Sequence, residues 1–441
     1  MLTDTFFKCK LLDKETKRHQ PVMTNRTNQI RPTINAKRLI DRHKAIARIG
    51  ATGRGGVNRQ ALTLEDGHAR QRLLAWSNNR GYSASIDPIG NLFIRKPGLR
   101  DDLAALMTGS HLDTQPTGGN FDGIFGVLAA FEALETLEDA SIVTTRPIDL
   151  VVWMNEEGCR FAPATMGSAV AVGALPLEAA LNTLDRKGTS VRDALKEHMS
   201  VLPSLGRRDL GIEGFAFLEA HIEQGPVLES EDFQIGVVTS IQGMCVYEVE
   251  INGFEAHAGT TPSRKRQDAF MTAVSLVHKL RDALQDPDDV LRFTIGRFNV
   301  SPGSPNTVPG HVSFSIDLRH PDAAVLERMG CTISAWCSGT SEGCSISSRL
   351  VLRSDPVQFH PGVTDTIRRS ATLRKVRHMD IVSGATHDSR YVSTKMPTAM
   401  IFVPCEKGIS HNEAENVQEQ DLVSGAQILC DTLLGLADAE L

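Results

Sequence analysis

Along the chain, apolar runs of strand length alternate with stretches whose apolar residues recur every three to four positions. Residues 36–49 and 63–80 carry the helical period, the second opened by a Leu-Glu-Asp turn with Ala69, Leu73, Leu74 and Trp76 on the face to be buried. Short strands are predicted at 91–95 and 103–108, and a helix at 124–137. Residues 148–154, I-D-L-V-V-W-M, are apolar almost throughout, the pattern of a strand buried on both faces. Residues 215–222 form another strand candidate.

Beyond Gly243 the period changes. Residues 245–251, 292–300, 311–319 and 344–352 alternate in twos, and 266–284 and 323–337 are helical. This predicts a compact α+β unit over 243–354, with a four-stranded antiparallel sheet, two helices and one sheet face bare or used for association. The first texture then returns, with helices at 363–374 and 418–437 and strands at 380–382 and 399–403. The expected fold class is therefore α/β. A large domain (36–242 and 355–441) with a mixed central sheet flanked by helices is interrupted by a smaller inserted domain (243–354). Residues 1–35 are polar, basic and aperiodic, so a weakly ordered extension is expected there, and Met23 could be the natural start.

Composition narrows the function classes. A chain of 441 residues suggests about two to three domains. Lys and Arg number 47 against 53 Asp and Glu, a net charge of −6, and no basic tract is dense enough to hold a phosphate backbone, which argues against nucleic acid as a partner. No window reaches the roughly 18 apolar residues of a membrane span, and the first residues lack a signal-peptide core, so no membrane partner and a cytoplasmic location are expected. The eight cysteines are scattered without a CxxC pair, which suits reduced thiols.

Candidate chemistry begins at residues 109–126, G-S-H-L-D-T-Q-P-T-G-G-N-F-D-G-I-F-G. A strand ending in His-x-Asp, followed by a glycine-rich turn with another Asp, presents ligands at the carboxyl edge of an α/β sheet. Five groups stand where predicted strands end: His111, Asp122, Glu157, His221 and His411. Imidazole and carboxylate donors without cysteine suit Zn²⁺, Mn²⁺, Co²⁺ or Ni²⁺, and an aspartate flanked by two pairs of ligands could bridge two ions. Taken singly, a strand-end histidine is more often structural, and Asp-Gly is more often a plain turn. Glu156-Glu157 is the sharper signal. Adjacent carboxylates after a buried strand are costly unless a cation neutralises them, and one can bind metal while the other remains a free general base.

The motifs G-S-H-L-D-T, N-F-D-G, N-E-E-G, E-Q-G-P, E-A-H-A-G-T-T-P, G-S-P-N-T-V-P-G, D-L-R and G-I-S-H-N, in this order, resemble those of the bimetallic amidohydrolases of the hydantoinase/carbamoylase type. That group includes N-carbamoyl-L-amino acid hydrolases, metal-dependent β-ureidopropionases and allantoate amidohydrolases, within the aminoacylase/carboxypeptidase G group. The resemblance implies two divalent metal ions per subunit. His111 and His221 would hold one, Glu157 and His411 the other, and Asp122 would join them. It also implies that Glu156 is the general base, that Asp113 orients the first histidine, and that His257 stabilises the oxyanion, often from the neighbouring subunit. Asn306 and Arg319 would grip the substrate carboxylate, with Gln224 a polar contact beside the metals. The inserted domain would serve as lid and homodimer interface. Departures from the pattern are Thr386, where glycine is usual, and Glu413, where proline is frequent; His387 and Asp388 should lie near the site.

The activity so implied is hydrolysis of the ureido C–N bond of a small-molecule substrate, an N-carbamoyl amino acid, releasing amino acid, ammonia and CO2. Residues 117–122 resemble the carbamoylase and ureidopropionase members more than the allantoate ones, and allantoate amidohydrolase or β-ureidopropionase activity is the alternative within the family. A thiol amidase using Cys159 or Cys405-Glu406-Lys407, and a metal-binding protein without turnover, are the rivals from other classes.

Overall fold

The computed structural model describes residues 31–437, 439 and 441. The extension expected over 1–35 and the alternative start at Met23 thus fall almost wholly outside the described residues.

Helix starts follow local capping. Asn35 caps the helix Ala36–Ala47, its side chain accepting from Arg38 N, and Thr63 caps Leu64–Asn79 by accepting from Asp66 N. Ala69, Leu73 and Leu74 are buried as the period predicts, and Trp76 is half-buried.

Ten strands form one mixed sheet. At its centre Thr398–Val403, Ala216–Ile222, Leu106–His111 and Ile148–Trp153 lie side by side and parallel, buried at every position. Ile235–Ile241 extends the sheet beyond Thr398–Val403, and Leu92–Lys96 extends it beyond Ile148–Trp153, both antiparallel. Helices Ile124–Asp139 and Glu419–Ala437 cover one face; Met166–Ala171 and Ser389–Val392 pack on the other, beside Trp153, Phe217 and Met107. A parallel sheet needs this double cover, which is why its strands read as continuous apolar runs. The strand expected at 103–108 instead begins at Leu106, because Leu103 N closes a turn onto Arg100 O, and it runs on through His111.

Residues 243–354 build a second, antiparallel sheet on Gly243–Asn252, His311–His320 and Cys344–Ser354. Helices Ala269–Ala283 and Ala323–Trp336 bury one face, so Tyr247, Val249 and Ile251 meet Phe314, Ile316 and Leu318 beneath them. The sheet has six strands rather than the expected four. The run 292–300 divides into Arg292–Thr294 and Phe298–Ser301, because residues 295–297 stand opposite only Ser315 and Ile316 and form a bulge. Gly339–Ser341 adds a short outer strand. The helix expected from 266 starts at Ala269, where Asp268 accepts from Phe270 N and Met271 N.

Candidate metal centre

Because the four central strands are parallel, their carboxyl ends share one edge of the sheet. His111 is the last residue of Leu106–His111, and His221 is the penultimate residue of Ala216–Ile222. Glu156 and Glu157 follow Ile148–Trp153, and His411 lies in the loop after Thr398–Val403. Asp122 sits in the turn that opens the helix Ile124–Asp139. The backbone there passes against the first histidine: Gly123 has φ of +68°, and a Cβ on it would stand 2.3 Å from the His111 ring.

These residues form two groups of donors that share Asp122. In His111–Asp122–His221, and again in Asp122–Glu157–His411, one donor atom per residue lies within 4.8 Å of the others. Asp122 divides its oxygens between them. Its Oδ1 is 3.2 Å from His221 Nε2 and 3.8 Å from His111 Nε2, while its Oδ2 is 3.4 Å from His411 Nε2. His411 Nε2 is in turn 3.5 Å from Glu157 Oε2. Glu156 belongs to neither group, yet its Oε2 is 3.6 Å from His111 Nε2.

The imidazoles are set for coordination. His111 Nδ1 lies 2.9 Å from Asp113 O, and His221 Nδ1 lies 2.9 Å from Ile222 O. A carbonyl only accepts, so each Nδ1 donates, which leaves each Nε2 as the nitrogen that faces the cluster and can coordinate. Gly123 N donates to His221 Nε2 at 3.1 Å, in keeping with that tautomer. The Asp113 carboxylate stands 3.8 Å from the His111 ring and accepts instead from Glu156 N at 3.3 Å and Glu157 N at 3.2 Å. It therefore orients the acidic pair, and its main chain orients the imidazole.

The electrostatics call for cations. Burial, together with the charges of Asp388 and Glu157, drives the Glu156 carboxyl well above its usual range. Burial and the charge of Asp122 push Glu157 up to about 8, and burial with the charge of Asp66 pushes Asp113 up to about 7. Burial lowers the His111 imidazole to about 4, leaving it neutral. Against its burial, the Asp122 carboxylate raises His221 to about 9, and it raises His411 likewise. Buried, mutually repelling carboxylates among imidazole nitrogens fit divalent ions, which would reverse the repulsion and take the place of those protons.

Three residues that spacing alone does not flag complete the surroundings. Gln115 donates to Glu157 through its backbone N at 3.1 Å and its Nε2 at 2.7 Å. Ser410 Oγ donates to Asp122 Oδ2 at 3.0 Å and also lies 3.0 Å from Glu415 Oε2. Glu415 Oε1 accepts from Phe121 N and Asp122 N at 2.9 and 3.2 Å, fixing the glycine-rich turn.

Of the remaining expected site residues, Gln224 Nε2 donates to Asp122 Oδ2 at 2.8 Å, and Arg319, Thr386 and His387 line the cavity over the centre. Asp388 is buried beside it, accepting from Ser168 Oγ. Arg319 arrives with its fork occupied: Nε and Nη2 donate to Asp317 at 2.8 and 3.0 Å. His257 and Asn306 lie elsewhere, around the ladder that pairs Ala256–His257 with Thr307–Val308, and the former is exposed. Within one chain neither lines that cavity.

The thiols do not supply an alternative. Burial pushes Cys159 and Cys405 up to about 12 each; Cys159 donates to Thr114 O and Cys405 to Ile409 O. A nucleophilic cysteine needs its thiolate near neutral pH.

Residues 107–435 match the model of peptidase family M20/M25/M40. The chain is 40% identical over 410 residues to an N-carbamoyl-L-amino-acid amidohydrolase of Rhizobium meliloti, covering 92% of this chain and 97% of the relative. It is 34% identical over 399 residues to an allantoate amidohydrolase of Escherichia coli, covering 89% and 96%. The crystal structure of a hydantoinase/carbamoylase family amidase from Burkholderia multivorans superposes with a TM-score of 0.86 at 39% identity, over 93% of this chain and 99% of that one. Two donor groups on the carboxyl edge of a mixed sheet are thus set in a chain that belongs to the M20/M25/M40 family and, within it, to the hydantoinase/carbamoylase amidases.

Proposed function

We propose that the chain hydrolyses the ureido C–N bond of an N-carbamoyl amino acid, yielding the amino acid, ammonia and CO2. The observation that carries this reading is the pair of donor groups sharing Asp122, with Glu156 beside them but in neither. The names of the amidohydrolase relatives support the bond class.

His111 and His221 would hold one divalent ion, Glu157 and His411 a second, and Asp122 both; Zn²⁺, Mn²⁺, Co²⁺ and Ni²⁺ suit these donors. Bound there, the ions would polarise the ureido carbonyl and acidify water. Glu156 takes the proton of the attacking water and returns it to the leaving nitrogen, a role that favours a carboxyl raised by burial. Asp113 holds Glu156 and Glu157 by their backbone N–H groups, fixing where that proton is received. Arg319, preset by Asp317 and by Gly384 O, offers the N–H groups they leave free to the substrate carboxylate, and Gln224 is a polar contact beside the metals.

His257 and Asn306 would act from a second copy of the chain, which makes the enzyme a homodimer with residues 243–354 as lid and interface. His257 suits oxyanion binding: its Nδ1 accepts from Gly259 N and Thr260 N, so its Nε2–H points outward as a donor. Seven free thiols among the described residues favour a cytoplasmic location.

Steady-state rates with N-carbamoyl-L-methionine, N-carbamoyl-β-alanine and allantoate test the substrate. The first should be hydrolysed fastest. Dominant activity on allantoate would move the chain to the second activity named among its relatives, with the same residues in the same roles.

A further inference from the structure

The ladder between Arg292–Thr294 and His311–His320 sets Arg292 directly opposite Arg319. On His311–His320 the helix-facing positions are Val312, Phe314, Ile316 and Leu318, so Arg319 stands on the other face, and Arg292 is exposed. Residues paired this way have Cβ atoms about 4.5–5.5 Å apart, and like charges so placed repel. Their partners differ. Asp317 holds Arg319 through Nε and Nη2 and Gly384 O meets its Nη1, whereas the bonds of Arg292 all run through Nη1, to the Asp289 and Leu291 carbonyls and to Asp289 Oδ1 at 3.1 Å, and that aspartate side chain is 93% exposed. A surface pair of the second kind is weak and gives way to a better-placed anion.

Both arginines line a cleft of about 680 Å³ that shares Gln224, Arg319, Ala385 and His411 with the cavity of the metal centre. Arg319 borders both spaces, and Arg292 only the outer one. Pro226, Val290 and Ile381 give the cleft apolar wall. Its other carboxylate, Glu223, is engaged by Val227 N and Leu228 N at 2.8 Å each.

We propose that this cleft is a second anion subsite, in which Arg292 selects ureido substrates carrying a second carboxylate: the N-carbamoyl derivatives of acidic amino acids. The inference rests on the ureido hydrolysis proposed above. With the α-carboxylate at Arg319, the methylenes of an acidic side chain lie along the apolar wall and its carboxylate reaches Arg292. The substrate's two charges then separate and neutralise the cross-strand arginines.

The test compares kcat/KM for N-carbamoyl-L-glutamate with that for its neutral isostere N-carbamoyl-L-glutamine, on wild type, Arg292→Gln and Arg292→Glu. The wild type should favour the glutamate by about ten-fold, the scale of one charge-assisted contact. The preference should shrink as salt rises, approach one in Arg292→Gln and invert in Arg292→Glu. Because each ratio is read on a single protein, a folding defect lowers both rates and leaves the ratio. Equal rates in the wild type, or an unchanged ratio in Arg292→Gln, would overturn the subsite. Turnover of the glutamine and methionine derivatives without acid preference would remove the subsite alone, whereas no turnover of any carbamoyl amino acid would remove the ureido reading as well.

Discussion

Asp122 shows how much one side chain can organise. Its two oxygens face different histidines, and Gln224 and Ser410 donate to the oxygen on the His411 side. The turn that carries it rests on His43, a buried imidazole that packs against Phe121 and Phe125 and whose two ring nitrogens have no hydrogen-bond partner among the described residues. Burial lowers the His43 pKa from 6.5 to about 3. A histidine depressed in the fold stays neutral where the unfolded chain takes up a proton. Stability from this residue is therefore complete above 6.5 and falls by roughly 1.4 kcal/mol per pH unit as pH drops toward 3. Urea midpoints at pH 7.5 and pH 5 should separate widely in the wild type and less in His43→Leu; equal separations would contradict this. At this scale the sequence was informative where chemistry imposes a residue type. Glu156 and Glu157 stood out because adjacent carboxylates after a buried strand are costly without a cation, whereas His111, Asp122, His221 and His411, each bland when taken singly, stood out through their place after predicted strands and in the ordered motifs. Gln115, Ser410 and Glu415 were not, because a hydrogen bond to a ligand from a distant loop leaves no spacing to read.

The helix Ile124–Asp139 connects the turn to the core. Each of its residues from Ile124 to Leu137 is buried, between the sheet and the helix Glu419–Ala437. Leu134 lies about 15 Å along the axis from the helix start. Leu134→Ala should thus cost about 2–5 kcal/mol of stability in denaturant titrations and leave metal affinity intact. Loss of metal affinity in the folded variant would show that the helix, rather than the turn, positions Asp122. The doubly covered strands were readable as apolar runs, and the strands of the second sheet as alternation. Ile235–Ile241 escapes both patterns, since Gly236 and the polar Thr239 and Ser240 interrupt a buried strand near the sheet's end. The bulge at residues 295–297 depends on which strand lies opposite, which no local pattern specifies.

For the whole molecule, the question is whether one chain suffices. His257 and Asn306 lie away from the centre's cavity in a single chain. If a second copy supplies them, Glu156→Gln and His257→Ala, each inactive alone, should regain about a quarter of wild-type activity after equilibration as an equal mixture, because hybrid dimers hold one intact site each. No recovery between variants that demonstrably exchange subunits would place the complete site within one chain. Whether Glu156 works beside two ion-binding groups to split a ureido bond is decided by ammonia release from N-carbamoyl-L-methionine. The protein is reconstituted with each divalent ion in turn, as wild type and as Glu156→Gln with its bound metal measured. Turnover should disappear on exhaustive chelation and return with metal, and the variant should keep its metal while kcat falls about 10²–10⁴-fold. Turnover that survives chelation, or wild-type turnover in Glu156→Gln, would contradict this.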